Sequence, residues 1–262
     1  MPAVMGILNV TPDSFSDGGR FFTLQSAVDR AREMEDAGAA ILDIGGESTR
    51  PYSQSVEQDE ELRRVVPVLE RLQGKIAIPI SIDTTKAAVA SAAIDLGAEI
   101  VNDVSGLEAD PAMMELARER AVGVCAMHRQ GTPQTMQDNP AYDNVVLEIL
   151  EYLLARDRFL IEQGIEEQRI CLDPGIGFGK THEHNLELVR SAALFHYLNR
   201  PILVGHSRKG FIAKCLASKD VERDSGTLGV SMALAAQRIQ ILRVHDVAAH
   251  VRALQLFHAS GG

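Results

Sequence analysis

One event recurs eight times along this chain of 262 residues: a short apolar run stops at a polar residue or a glycine, and an amphipathic stretch follows. The runs cover 4–8, 41–44, 79–82, 100–101, 122–127, 170–172, 201–204 and 241–242, and they end at or beside Asn9, Gly45, Asp83, Asn102, Met127, Asp173, Gly205 and Arg243. Apolar residues at three- and four-residue spacing predict helices over 24–38, 55–72, 86–96, 113–119, 142–163 and 185–194. A helix in two parts, 210–216 and 227–238, and a closing one over 247–257 complete the series. The strands are continuously apolar rather than alternating, which is how parallel strands covered on both faces read. Eight units of ~25–40 residues select a closed (β/α)8 barrel over an open doubly wound sheet. No Pro/Gly/Ser linker or composition shift interrupts 1–262, so a single domain is expected. Only three residues precede the first strand, so a plug at the bottom of the barrel is expected to be short or missing.

The strongest local signal is Asp173-Pro174-Gly175-Ile176-Gly177-Phe178-Gly179-Lys180, directly after the strand Ile170-Cys171-Leu172. Alternate glycines let a backbone take positive φ and pass close to a flat ligand. An acid at the end of an apolar strand with no local ion partner is poorly explained by packing. The plain alternative is a solvated Asp at a helix-entry turn.

Bulk properties narrow the partners. A net charge of −10 argues against a nucleic-acid or anionic-membrane surface. Cys125, Cys171 and Cys215 have neither zinc-ligand spacing nor an even count, and read as small core residues in a reducing compartment. With no signal peptide and no run of ~18 apolar residues, a cytoplasmic location is the expectation.

In a barrel of this kind, reactive groups sit on the loops after the strands. Two chemical sets separate there. Asp83, Asn102, Asp173 and Lys209 suit a planar heterocycle with an amidine-like edge, which a carboxylate can grip bidentately. Arg50, Arg243 and His245, with Asn9 and the hydroxyl-rich loop over 11–19, suit phosphate oxygens. Plain readings stand beside these. Asp43 and Asp103 fit equally well as acids in a hydrogen-bonded barrel interior, and Met127 fits the core. His182 and His184 face apart on a helix and read as a solvated helix start rather than a metal site. Arg208 reads either as half of a surface pair or as an anion ligand.

Several runs resemble dihydropteroate synthases. They are 5–19 (MGILNVTPDSFSDGG), Gly45-Gly46-Glu47-Ser48-Thr49-Arg50-Pro51, Ser81-Ile82-Asp83-Thr84-Thr85-Lys86, Asn102-Asp103-Val104-Ser105, Met127-His128-Arg129-Gln130-Gly131, the Asp173 to Lys180 run, Gly205-His206-Ser207-Arg208-Lys209 and Arg243-Val244-His245-Asp246. The resemblance covers nearly the whole chain in order. It implies an enzyme of folate synthesis that joins 4-aminobenzoate to a dihydropterin diphosphate with Mg2+, releasing diphosphate. By position it implies a pterin pocket of Asp83, Asn102, Met127, Asp173, Phe178, Gly205 and Lys209, with Lys209, Asp83 and Asp173 the catalytic set. Asn9 would contact the metal, and Arg243 and His245, with Asn9, the diphosphate. Phe15, Thr49, Arg50, Pro51 and Ser207 would border the aminobenzoate. A homodimer and inhibition by sulfonamides are implied as well. A pterin-dependent methyltransferase on the same barrel needs no diphosphate site, and a silent homologue acting as a partner subunit would be expected to lack Asn9, Lys209 or His245, all of which are present. One departure is Tyr52, where the family often has glycine.

Overall fold

A computed structural model describes residues 1–11, 24–216 and 223–262. Eight parallel strands form one sheet: β1 (Ala3–Asn9), β2 (Ile41–Gly45), β3 (Ile80–Asp83), β4 (Ile100–Asp103), β5 (Gly123–Met127), β6 (Ile170–Asp173), β7 (Leu203–Val204) and β8 (Ile241–Val244). Their order is β6-β5-β4-β3-β2-β1-β8-β7, and a parallel bridge between Leu172 and Ile202 joins the two ends into a barrel. Helices α1 (Leu24–Asp36), α2 (Gln58–Leu72), α3 (Ala87–Asp95), α4 (Pro111–Glu119), α5 (Val145–Glu162), α6 (His182–Arg190), α7 (Gly210–Leu216), α8 (Arg223–Ala236) and α9 (Val247–Ala259) surround it. The expected barrel is present. One boundary differs: the apolar run over 185–194 is not one helix but α6 followed by a 3-10 segment, Ala192–Leu198.

Helix starts follow their caps. Asp110 accepts from the Ala112 N–H at 3.0 Å, Asn144 from the Leu147 N–H at 3.0 Å, and Asp246 from the Ala249 N–H at 3.0 Å. The α2 face of Val65, Val68, Leu69 and Leu72 is buried, at ~1.5–3 kcal/mol per side chain as an upper bound. Against it and the other helices lie the outward strand residues, Leu8, Leu42, Ile44, Ile82, Val101, Val124, Ala126, Leu172, Val204, Leu242 and Val244.

The alternate strand positions point inward, and they change character with height. Near the bottom, Met5, Ile41, Cys125, Cys171, Leu203 and Ile241 form an apolar plug of their own. Two residues beyond Ile41 and Ile241 lie Asp43 and Arg243, Ser81 and Asn102 face inward from β3 and β4, and the strands end at or beside Asn9, Gly45, Asp83, Met127, Asp173, Gly205 and His245. The period of two therefore carries polar residues of six strands, with Met127 of β5 and Gly205 after β7, to one mouth.

Candidate active site

The deepest polar layer is an ion cluster. Arg243 donates from Nε to Asp43 Oδ2 at 2.6 Å and from Nη2 to Asp83 Oδ2 at 2.5 Å, while Asn102 Nδ2 donates to Asp43 Oδ2 at 3.2 Å. Asp43 is fully buried, so its charge requires these partners. Asp43 is thus an interior acid that fixes Arg243 and Asn102. Arg243, grouped from sequence with the phosphate ligands, points inward from β8 and lies between the acids, donating to both. Burial pushes the Asp83 pKa up to about 7, with Arg243 opposing the shift and Asp43 adding to it.

Asp173 and Lys209 are the next charged groups at the mouth. Asp173 Oδ1 accepts from the Gly175 N–H at 2.7 Å. Burial raises its pKa, and the positive charge of Lys209 is the main opposing influence. The positive charge missing from the local sequence is thus supplied by the loop after β7, without a direct ion pair. Lys209 Nζ donates to the Ile176 carbonyl and lies 4.5 Å above the centre of the Phe178 ring. Burial brings the Lys209 pKa down to about 8 although Asp173 favours the charged form. Beside Phe178, the buried Val104, Met127 and Met136 form an apolar cluster separate from the main core. An apolar cluster, a carboxylate and an ammonium thus converge on the turn after β6.

That turn is fixed sterically. Gly175, Gly177 and Gly179 all have positive φ, at 69°, 84° and 64°. A Cβ on Gly175 would sit 1.9 Å from the His128 carbonyl oxygen, and one on Gly179 would sit 2.3 Å from that of Gln130. Beneath the turn, buried Lys180 donates to the Phe178 carbonyl at 2.9 Å and contacts His128 Nδ1 at 3.1 Å. Burial lowers the pKa of both partners, His128 to about 3. Sequence reading passed over this Lys180–His128 support. Lys180 closes a loop motif, and nothing local signals that its ammonium turns inward.

On the other side of the mouth, His245 Nδ1 lies 2.9 Å from Ser207 Oγ, and the His245 N–H donates to the same oxygen at 3.3 Å. With Nδ1 accepting from the hydroxyl, the Nε2–H is left as a donor. Burial, then the positive charges of Arg208, Arg243 and Arg50, holds the His245 pKa down to about 3. Arg208 itself pairs with Asp224, at 2.7 and 3.0 Å. Ser207, read from sequence as bordering the second substrate, thus orients His245. Asn9 ends β1 level with Gly45. Thr49, Arg50 and Pro51 lie on the loop after β2, with Arg50 and Pro51 exposed. Phe15 and the rest of 12–19 lie outside the described residues. Asp103 serves its own loop, accepting from Ser105 N–H and Oγ–H at 2.6 Å. His184 closes a capping box with Thr181, which accounts for the second of the two histidines.

This parallel barrel with polar residues gathered at one mouth belongs among the pterin-binding enzymes: the sequence pattern of the family described as "Pterin binding enzyme" matches residues 5–245. The dihydropteroate synthase of Escherichia coli K12 is 45% identical over 99% of this chain and 92% of its own length. The dihydropteroate synthase of Yersinia pestis, solved as a sulfonamide drug complex, superposes with a TM-score of 0.94 at 41% identity, over 99% of this chain and 94% of its own. That of Xanthomonas albilineans, solved with 7,8-dihydropteroate, gives a TM-score of 0.89 at 39% identity over 99% and 93%. The chain belongs to the dihydropteroate synthase family.

Proposed function

We propose that this enzyme condenses 4-aminobenzoate with 6-hydroxymethyl-7,8-dihydropterin diphosphate to give 7,8-dihydropteroate and diphosphate in folate biosynthesis. The observation that carries the reading is the convergence of Asp173, Lys209 and Phe178 on the glycine turn after β6. Asp173 accepts from the amidine-like edge of the pterin, Lys209 donates to its acceptor atoms, and Asn102 and Asp83 complete the rim. Phe178, Met127 and the bare backbone at Gly205 leave room for the flat ring. Asp83 is shared with Arg243, so Asp173 is the less committed carboxylate and the stronger stabiliser of positive charge on the ring.

Arg50, His245 Nε2–H and Asn9 bind the diphosphate. Arg243 contributes its charge from the layer below. Among the described residues no group of three or more His, Cys, Asp or Glu could hold a metal ion. Asn9 offers one neutral oxygen, which fits Mg2+ only where diphosphate and water supply the other ligands. When bound, Mg2+ would neutralise charge on the leaving diphosphate. Calorimetry should therefore find weak Mg2+ uptake by the free enzyme and strong uptake with diphosphate; strong uptake without it contradicts this assignment.

The arylamine is a weak nucleophile, and no His or carboxylate outside the pterin and diphosphate sets stands out in the sequence as its base. Departure of diphosphate with the C–O electron pair therefore runs ahead of C–N bond formation, with the electron-rich dihydropterin delocalising the cation. No helix among the described residues is long and apolar enough to cross a membrane. The reading includes a cytoplasmic homodimer in which 1–262 acts as one unit, and sedimentation tests the dimer. Sulfonamides should compete with 4-aminobenzoate.

The direct test incubates the enzyme with pterin diphosphate, 4-aminobenzoate and Mg2+. Equal amounts of dihydropteroate and diphosphate are expected. Pterin binding without product, or methyl transfer from a methylated folate instead, overturns the reading.

A further inference from the structure

The loop after β2, residues 48–55, has both ends stitched together. Glu47 accepts from the Val56 N–H at 3.1 Å and from Lys86 Nζ, and Lys86 Nζ also donates to buried Glu61 at 2.6 Å. Arg64 Nη1 donates to the Gly46 carbonyl at 2.9 Å. Within the loop, Ser53 Oγ donates to the Ser48 carbonyl at 2.5 Å, and the Ser53 N–H to that of Arg50 at 3.1 Å. The stem is thus an ion-paired base and the tip a self-braced turn.

The tip does not end in solvent. The Tyr52 N–H donates to the Pro133 carbonyl at 2.8 Å, Tyr52 Oη donates to Asp138 Oδ1 at 3.3 Å, and Gln134 Nε2 donates to the Ser53 carbonyl at 3.1 Å. All three partners lie in the connection between β5 and α5. The loop after β2 therefore reaches the loop after β5, past the ends of β3 and β4 that carry Asp83 and Asn102. Its receiving loop is in turn tied to the pterin turn, Gln137 Nε2 donating to the Gly177 carbonyl at 2.8 Å and Tyr142 Oη to that of Gly179 at 2.9 Å.

Tyr52 has φ +63°, a left-handed conformation that a tyrosine adopts at a conformational cost. Its ring is 65% exposed, so packing does not compensate that cost. What compensates is the pair of bonds to Pro133 and Asp138. We propose that Tyr52 is a positioning residue that latches residues 48–55 across the mouth, setting how firmly the arylamine is held and how much water reaches the reacting carbon. The inference rests on the synthase reading. When the latch is closed, the amine nitrogen adds to the carbon that has lost diphosphate and then sheds a proton. When it is open, water adds its oxygen to the same carbon and sheds a proton, returning the hydroxymethyl dihydropterin.

The experiment compares wild type with Tyr52→Phe, which removes only the hydroxyl, Tyr52→Gly, which keeps the φ and removes the side chain, and Asp138→Asn. Three quantities are read: KM for 4-aminobenzoate against KM for the pterin diphosphate, the ratio of diphosphate released to dihydropteroate formed, and hydrogen exchange over 46–57. The expected result is a rise of about three- to tenfold in the arylamine KM with the pterin KM unchanged. The product ratio should climb above one, and amide exchange over 46–57 should quicken in Tyr52→Phe and Tyr52→Gly. Combining Tyr52→Phe with Asp138→Asn should add little to either alone. Unchanged arylamine KM, product ratio and exchange in both Tyr52 variants overturn the latch. A wild type that makes no dihydropteroate overturns the synthase reading, and exchange still decides whether Tyr52 holds the loop.

Discussion

The two loops that frame the mouth are held by opposite means. The turn after β6 is fixed by sterics: three glycines at positive φ press against the carbonyls of His128 and Gln130 and against Lys209. The loop after β2 is fixed by polar ties, and at its tip it places a tyrosine where glycine would be unstrained. A close-packed turn holds one shape whether or not a ligand is present. Exposed hydrogen bonds of about 0.5–1.5 kcal/mol net each can open and close. On the proposed assignment the difference divides the work: the pterin would meet a finished turn, and the arylamine a closure that can release.

The contrast breaks most severely at Gly175. Gly175→Ala drives a methyl group into the His128 carbonyl and forces alanine into a left-handed backbone, a loss on the order of 3–5 kcal/mol. Denaturant unfolding measures it, and a midpoint like that of wild type would show that the turn is not sterically fixed. No single change in residues 48–55 should approach that figure.

Next in size is Asp173 itself. Asp173→Asn removes the charge from hydrogen bonds of ~1.5–3 kcal/mol each, so pterin affinity should drop at least tenfold. Titration calorimetry checks this; undiminished affinity refutes the role given to Asp173.

The third effect is on pH. Asp83, raised from 3.8 to about 7, holds a proton in the folded state that the unfolded chain has lost, so stability declines as pH climbs between those values. Lys209, lowered from 10.5 to about 8, sheds its proton first in the folded state, so stability rises across that interval. Pterin binding needs both groups charged. The kcat/KM of the pterin diphosphate should rise through about pH 7 and fall through about pH 8, losing roughly fivefold from pH 8 to pH 9. In Lys209→Arg the alkaline limb should vanish, because a guanidinium stays charged. The smallest effect belongs to the latch: Gln134→Ala removes one exposed bond and should raise the arylamine KM by only about twofold.

Legibility in the sequence follows the same division. The barrel was readable because apolar runs stop at polar residues, and the glycine turn because alternate glycines have few other uses. Inward placement was readable in principle, since Asp43 and Arg243 sit two residues beyond the inward Ile41 and Ile241. The partnership of Arg243 with Asp43 was not, because 200 residues separate them. Glu61 shows the same limit. It stands in the acidic run Asp59-Glu60-Glu61 at the start of α2, where acids normally face water, yet it is fully buried because Lys86 reaches it from the loop after β3. Tyr52 was visible as a departure from the family pattern, and only the fold supplied Pro133 and Asp138 as its partners.

If the sterically fixed half of the mouth suffices for the first bond event, cleavage should begin without the arylamine. Positional isotope exchange in dihydropterin diphosphate, labelled with 18O at the bridging oxygen, tests this in the presence of Mg2+ and the absence of 4-aminobenzoate. The label should scramble into non-bridging positions of the diphosphate, with slow diphosphate release. No scrambling and no release, together with a rate that depends steeply on amine basicity, would contradict the account and establish a concerted displacement.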